Sequence, residues 1–242
     1  MGKREYGFDF DEETVFSIVR SDAPKPAEQS LKREFFVFVM GPYTAFDANY
    51  SYPDAEELDS RFIDDPLFDP DEHRRDDGRA TYESALADLC ATLREEYGVR
   101  AFLATDIDIP TNDEAAEGEP SMSVLDQSIA FAAVSDAVVF VFTQGGLTTG
   151  TGSEVGSILS EFHLRTGNPE PIRKPRERFR IFTAEEFSSA SIDEIPSTFE
   201  VDSLDFGNKS DLVQKIEDFL ANIERTDPDR NLPVFKPYVP KS

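Results

Sequence analysis

Ser135-Asp136-Ala137-Val138-Val139-Phe140-Val141-Phe142 runs directly into Thr143-Gln144-Gly145-Gly146-Leu147-Thr148-Thr149-Gly150-Thr151-Gly152, and the fold turns on this stretch. The unbroken apolar run from Ala137 to Phe142, rich in Val and Phe, predicts a strand covered on both faces, as in a parallel sheet. The ten residues after it hold four glycines and four threonines, which predicts a loop offering amides and hydroxyls. Ser153-Glu154-Val155-Gly156 then opens a helical pattern, with Val155, Ile158, Leu159 and Phe162 spaced 0, 3, 4 and 7. In an open α/β sheet, ligands bind where a loop leaves a strand's carboxyl end and feeds a helix. Glu154 is expected in the first turn of that helix, where the dipole favours an ionised carboxylate.

Working outward, Glu34–Met40 is a second apolar run, ended by Gly41-Pro42. From Asp54 to Asp77, 11 of 24 residues are acidic, and Pro53, Pro66 and Pro70 forbid a long helix. Thr81–Tyr97 predicts an amphipathic helix capped by Gly98, and Val99–Thr105 a strand. Thr111–Pro120 reads as an acidic linker, and Ser123-Val124-Leu125-Asp126 as a capping box opening a helix to about Val134. Beyond the glycine-rich loop, Arg178–Phe182 predicts a fourth strand, Ala184–Ser191 a short helical turn and Phe199–Val201 a fifth strand. Asn208 caps a last helix with Leu212, Val213, Ile216, Phe219, Leu220 and Ile223 on one stripe. Strands alternating with helices give an α/β fold: a doubly wound, flavodoxin- or Rossmann-like parallel sheet of four or five strands with helices on both faces. The expected organisation is one domain over residues 31–226, a flexible acidic arm or loosely docked helix over 1–30, and a Pro-rich tail over 227–242. Right-handed crossovers would set the Gly41 loop and the Gly145–Glu154 loop across one crevice.

The charge balance is extreme, 49 Asp+Glu against 24 Lys+Arg, a net of −25 with only eight lysines. A carboxylate-coated surface suits concentrated salt, where charges are screened within a few ångströms, so the expectation is a haloarchaeal cytoplasmic protein. The 39% hydrophobic content and 21 Phe argue for a packed core rather than acidic disorder. The shortage of cations argues against a nucleic-acid partner. The one basic run, Arg173-Lys174-Pro175-Arg176-Glu177-Arg178, is expected as a solvated loop, with a local phosphate contact as the alternative. Cys90 stands alone, so no internal disulfide forms. No signal-peptide pattern or 18-residue apolar run occurs, which predicts neither secretion by that route nor a membrane partner.

Several chemistries are excluded by motif. No GxxxxGK[ST] occurs, and Gly150-Thr151-Gly152 lacks the third glycine of a dinucleotide fingerprint, Val155 standing there. His73, His163 and Cys90 are isolated, so no metal or other cofactor is expected. What remains is the order strand–Gly41-Pro42-Tyr43, helix, strand, helix, Ser135-Asp136-Ala137-Val138-Val139, then Gly150-Thr151-Gly152-Ser153-Glu154-Val155-Gly156. Over roughly residues 34–185 it resembles the nucleoside 2-deoxyribosyltransferase-like superfamily, which includes the nucleoside 5'-monophosphate N-glycosidases.

The resemblance implies a small-molecule nucleoside or nucleotide partner and casts Glu154 as the nucleophile at a ribosyl anomeric carbon. Two-step glycosyl transfer needs such an ionised carboxylate against an oxocarbenium-like centre; the bland alternative is a Glu that neutralises a helix end. The superfamily's second acid, which contacts the departing base, falls at Ser128 here, and the nearest carboxylate is Asp126. Asp126 also has ordinary work in the capping box, and Asp47 is a substitute acid. Tyr43 would orient Glu154 or stack on a base, or simply cover the sheet end; Gly41, Pro42 and Thr44 would line the first-strand loop. Thr143, Gly150, Gly152 and Ser153 would offer hydroxyls and amides to ribose and phosphate, and Gly152 and Gly156 close approach to the backbone. Asp136 is expected to be structural. A homo-oligomer is compatible with all of this. Three functions compete: an enzyme of N-glycosidic bonds, a catalytically silent nucleotide-binding sensor, and an interaction module docking partners on the acidic loop.

Overall fold

The computed structural model describes residues 5–6, 10–28, 34–41, 65–67, 82–143, 148–162 and 174–226. Its centre is a five-stranded, all-parallel sheet: β3 (Phe36–Met40), β4 (Arg100–Phe102), β5 (Ala137–Phe142), β6 (Phe179–Ala184) and β7 (Ser203–Phe206), in the order β4-β3-β5-β6-β7. A separate two-stranded pair, β1 (Glu5–Tyr6) and β2 (Phe10–Asp11), precedes it. The register sets Phe38 opposite Val138 and Phe140 opposite Ile181, so β5 sits mid-sheet.

Strand periodicity sorts the apolar runs onto two faces. Phe36, Phe38, Met40, Val138, Phe140 and Phe142 point one way, into a core with α1 (Glu12–Asp22), α3 (Val124–Val134) and α4 (Thr148–Glu161). That layer is built on rings: Phe38 stacks on Phe102 at 5.4 Å and meets Phe131 edge-on at 5.8 Å. Val37, Val39, Ala137, Val139 and Val141 point the other way, against α2 (Tyr82–Tyr97) and α7 (Lys209–Thr226). The sheet is thus doubly wound. Two short helices, α5 (Ala190–Asp193) and α6 (Ile195–Phe199), bridge β6 to β7.

Four expectations need correction. Residues 12–22 are neither a flexible arm nor loosely docked: Asp11 caps α1 by accepting the Thr14 N–H at 2.8 Å, and Val15 and Val19 are fully buried against α3. Over its described residues, 174–178, the basic run is not simply a solvated loop. Lys174 is fully buried, and its ammonium donates to the carbonyls of Ala132, at 2.5 Å, and Ser135, closing the carboxyl end of α3. Arg178 is buried beside Asp136 and donates to its carbonyl at 3.2 Å. The fifth strand is Ser203–Phe206 rather than Phe199–Val201, because Phe199 ends α6 and Glu200 turns the chain at φ 53°. The second strand stops at Phe102, where Asp106 accepts the Leu103 N–H at 2.8 Å and bends the chain into a 3-10 turn.

Two residues hold the amino edge of the sheet. Asp136 accepts the Phe36 N–H at 2.9 Å, tying β5 to β3 as its structural reading expected. Arg100, buried at the start of β4, donates to the carbonyl of Arg20 at 2.7 Å and to that of Ala23, so it closes α1 as Lys174 closes α3. Among the described residues no helix is long and apolar enough to cross a membrane.

Candidate functional site at the switch point

Sheet order decides where a ligand fits. The chain winds outward from β3 in one direction and from β5 in the other, so the crevice lies beyond their adjacent carboxyl ends. β3 delivers Gly41 there and β5 delivers Thr143. A Cβ on Gly41 would fall 2.9 Å from Leu86 Cδ1 and 3.1 Å from the Val141 carbonyl, so the strand end is closed to any larger residue. Helices packed antiparallel to the strands bring the first turns of α2, α3 and α4 to this same edge.

Glu154 is on α4, although not in its first turn. The helix begins at Thr148, so Gly150, Gly152 and Ser153 are helical rather than looped, and Glu154 is in the second turn. The threonines and glycines promised a loop, and packing of Val155, Ile158, Leu159 and Phe162 overrides that propensity. Burial, and not the helix dipole, governs its electrostatics: Glu154 is half-buried and loss of water raises its carboxyl above the ordinary value. Among the described residues it has no hydrogen-bonding or ionic partner. Gly152 and Gly156 share a face, but they lie roughly 160–200° around the helix from Glu154. Their open flank is therefore on the far side from the carboxylate.

Asp126 is occupied. Its N–H donates to Ser123 Oγ at 3.1 Å, and Ser123 Oγ donates to its carboxylate at 2.7 Å, which is the capping box read from the sequence. Ser128 is buried within α3. Thr143 is fully buried and its hydroxyl lies 2.5 Å from the Tyr82 phenol, so it belongs to the stem of the loop and not to its lining. Pro42, Tyr43, Thr44 and Asp47 lie outside the described residues, as do His73, His163 and residues 144–147.

The sequence reading missed Tyr82 and Asp65. Tyr82 opens α2, where helical spacing reads it as apolar, and Asp65 is one acid among many in the long loop. In the fold Tyr82 also donates to Asp65 Oδ1 at 3.2 Å, and that oxygen accepts the Leu67 N–H at 3.0 Å.

The fold defines the class: an open, doubly wound α/β protein whose winding reverses between β3 and β5, with a half-buried carboxylate, unpartnered among the described residues, on the helix that follows its central strand. Within that class the chain belongs to the family described as Domain of unknown function (DUF7509), whose model matches residues 20–236. No curated protein matches the chain.

Proposed function

We propose that this protein cleaves or transfers the N-glycosidic bond of a nucleoside, nucleotide or NAD-like substrate, with Glu154 as nucleophile. One observation carries the reading: Glu154 is a half-buried carboxylate without a partner among the described residues, on the helix leaving the central strand. Its resemblance-based role and its isolation from structural duty agree. An unpaired, desolvated carboxylate at a crevice is a site candidate in its own right. In the reaction a Glu154 oxygen bonds to the anomeric carbon as the C–N bond breaks, and the base leaves with the electron pair; a nucleoside or nucleotide base takes its proton from water, whereas nicotinamide leaves an NAD-like substrate neutral and takes none. Water or an acceptor base then attacks the same carbon and frees Glu154.

The test is release of free base from a panel of nucleosides, nucleotides and NAD, with wild type and Glu154→Gln compared in high salt. Turnover should fall by orders of magnitude in the variant while substrate still binds. Equal turnover by the two proteins would remove Glu154 from the mechanism.

A second reading, a nucleotide-binding sensor without turnover, has one observation in its favour. Asp126 is engaged in a helix cap and Ser128 stands where the second acid would be, which leaves the departing base without an assigned proton donor. Wild-type protein that binds a panel member and never frees its base would support it. The acidic surface further supports a halophilic, archaeal and cytoplasmic setting.

A further inference from the structure

At the carboxyl end of β5 a polar cluster is set into an apolar face. The Tyr82 ring is buried in the same core as Val37, Val39, Val141 and Leu67, yet its hydroxyl reaches both Thr143 and Asp65. Burial and the nearby Asp65 carboxylate push the phenol well above its usual range, so it stays neutral. A neutral phenol has one proton, and here it is donated to Asp65 Oδ1. The Thr143 hydroxyl must then donate to the phenol oxygen. The hydrogen-bond chain therefore runs one way, Thr143 to Tyr82 to Asp65. It fastens three segments together: residues 65–67, the start of α2, and the point where β5 gives way to the connection leading to α4. Filling the core requires only the ring, which Phe would supply equally well. The hydroxyl has a different task.

We infer that Tyr82, backed by Asp65, is a positioning residue for the switch-point site: it fixes the stem from which α4 and Glu154 are presented. The inference rests on reading Glu154 as the nucleophile. A nucleophile misplaced by about 1 Å loses on the order of a hundredfold in rate, so the stem's placement matters to chemistry.

Tyr82→Phe keeps the ring and removes the hydroxyl. Amide hydrogen exchange tests the effect on placement without any need for activity. Exchange across residues 142–156 should quicken about tenfold or more, while β6 and α7 keep wild-type protection. In parallel, base release from AMP, deoxyadenosine and NAD should show kcat lowered about tenfold or more with KM nearly unchanged. Tyr82→Phe combined with Thr143→Val should exchange no faster than Tyr82→Phe alone, because the link that Thr143→Val cuts is already gone. Faster exchange confined to residues 65–67 and 82–86 would overturn the inference, leaving Tyr82 as a staple of α2 alone. Should Tyr82→Phe fail to fold, Asp65→Asn weakens the same chain and should give the same exchange pattern. Wild type that frees no base from any of the three probes would defeat the nucleophile reading, while the exchange result still decides what Tyr82 holds.

Discussion

A carboxylate deprived of water is held at a cost unless a partner offsets it, and Glu154 is half-buried with no partner among the described residues. Its folded pKa lies above the unfolded one, so over that interval the folded state binds more protons than the unfolded. Its contribution is therefore fully present on the acid side and is lost as pH rises through the raised value. Glu154→Gln carries no such penalty. In urea titrations between about pH 4 and 8 the variant should match wild type at the acid end and exceed it at neutral pH. A wild type that gains on the variant as pH rises would show that Glu154 has a stabilising partner. Glu154 was legible in the sequence because local spacing set it on a helix after an apolar strand. Tyr82 was not, because its partners lie 17 and 61 residues away and pattern reads a helical Tyr as apolar. The dipole argument for Glu154 failed on a shift of a few residues in where α4 begins.

Among the elements, the strongly patterned ones were legible: β3 and β5 from continuous apolar runs, α2 and α7 from their stripes, α3 from its cap. β7 was not, because an edge strand with Leu204 and Asp205 exposed has no apolar run to advertise it. α1 was underrated because its flanking acids and prolines suggested an arm, whereas Val15 and Val19, with Phe16 and Ile18 packed beside them, dock it. The basic run misled for a different reason: charge in a sequence implies solvent, and here Lys174 and Arg178 satisfy buried carbonyls. Lys174→Met keeps the buried stem and removes the donors. It should cost about 1–3 kcal/mol of unfolding free energy, the penalty for carbonyls that lose a charged partner. Urea unfolding measures it, and an unchanged midpoint would mean that α3 closes its own end.

For the molecule as a whole, the sheet and its winding followed from alternation of elements, and the sign of the surface from composition. Burial leaves that sign as it is among the described residues: Arg100, Lys174 and Arg178 are taken inside, but so are Glu12, Asp65 and Asp136. The chain's 49 carboxylates still outnumber its 24 cations and repel one another. Screening that self-repulsion should raise the melting temperature steadily between low and molar KCl. A melting curve indifferent to KCl would defeat the halophilic reading. The contact between Asp136 and the Phe36 amide has a different consequence, for the route to this structure rather than its end. It joins residues 100 positions apart, and every strand pair in the sheet is parallel, so no hairpin can seed it. The chain must close a long loop before its two central strands reward each other, which makes folding slow and leaves strand edges bare meanwhile. Mutual repulsion between such heavily acidic chains then keeps half-folded copies apart while that search proceeds.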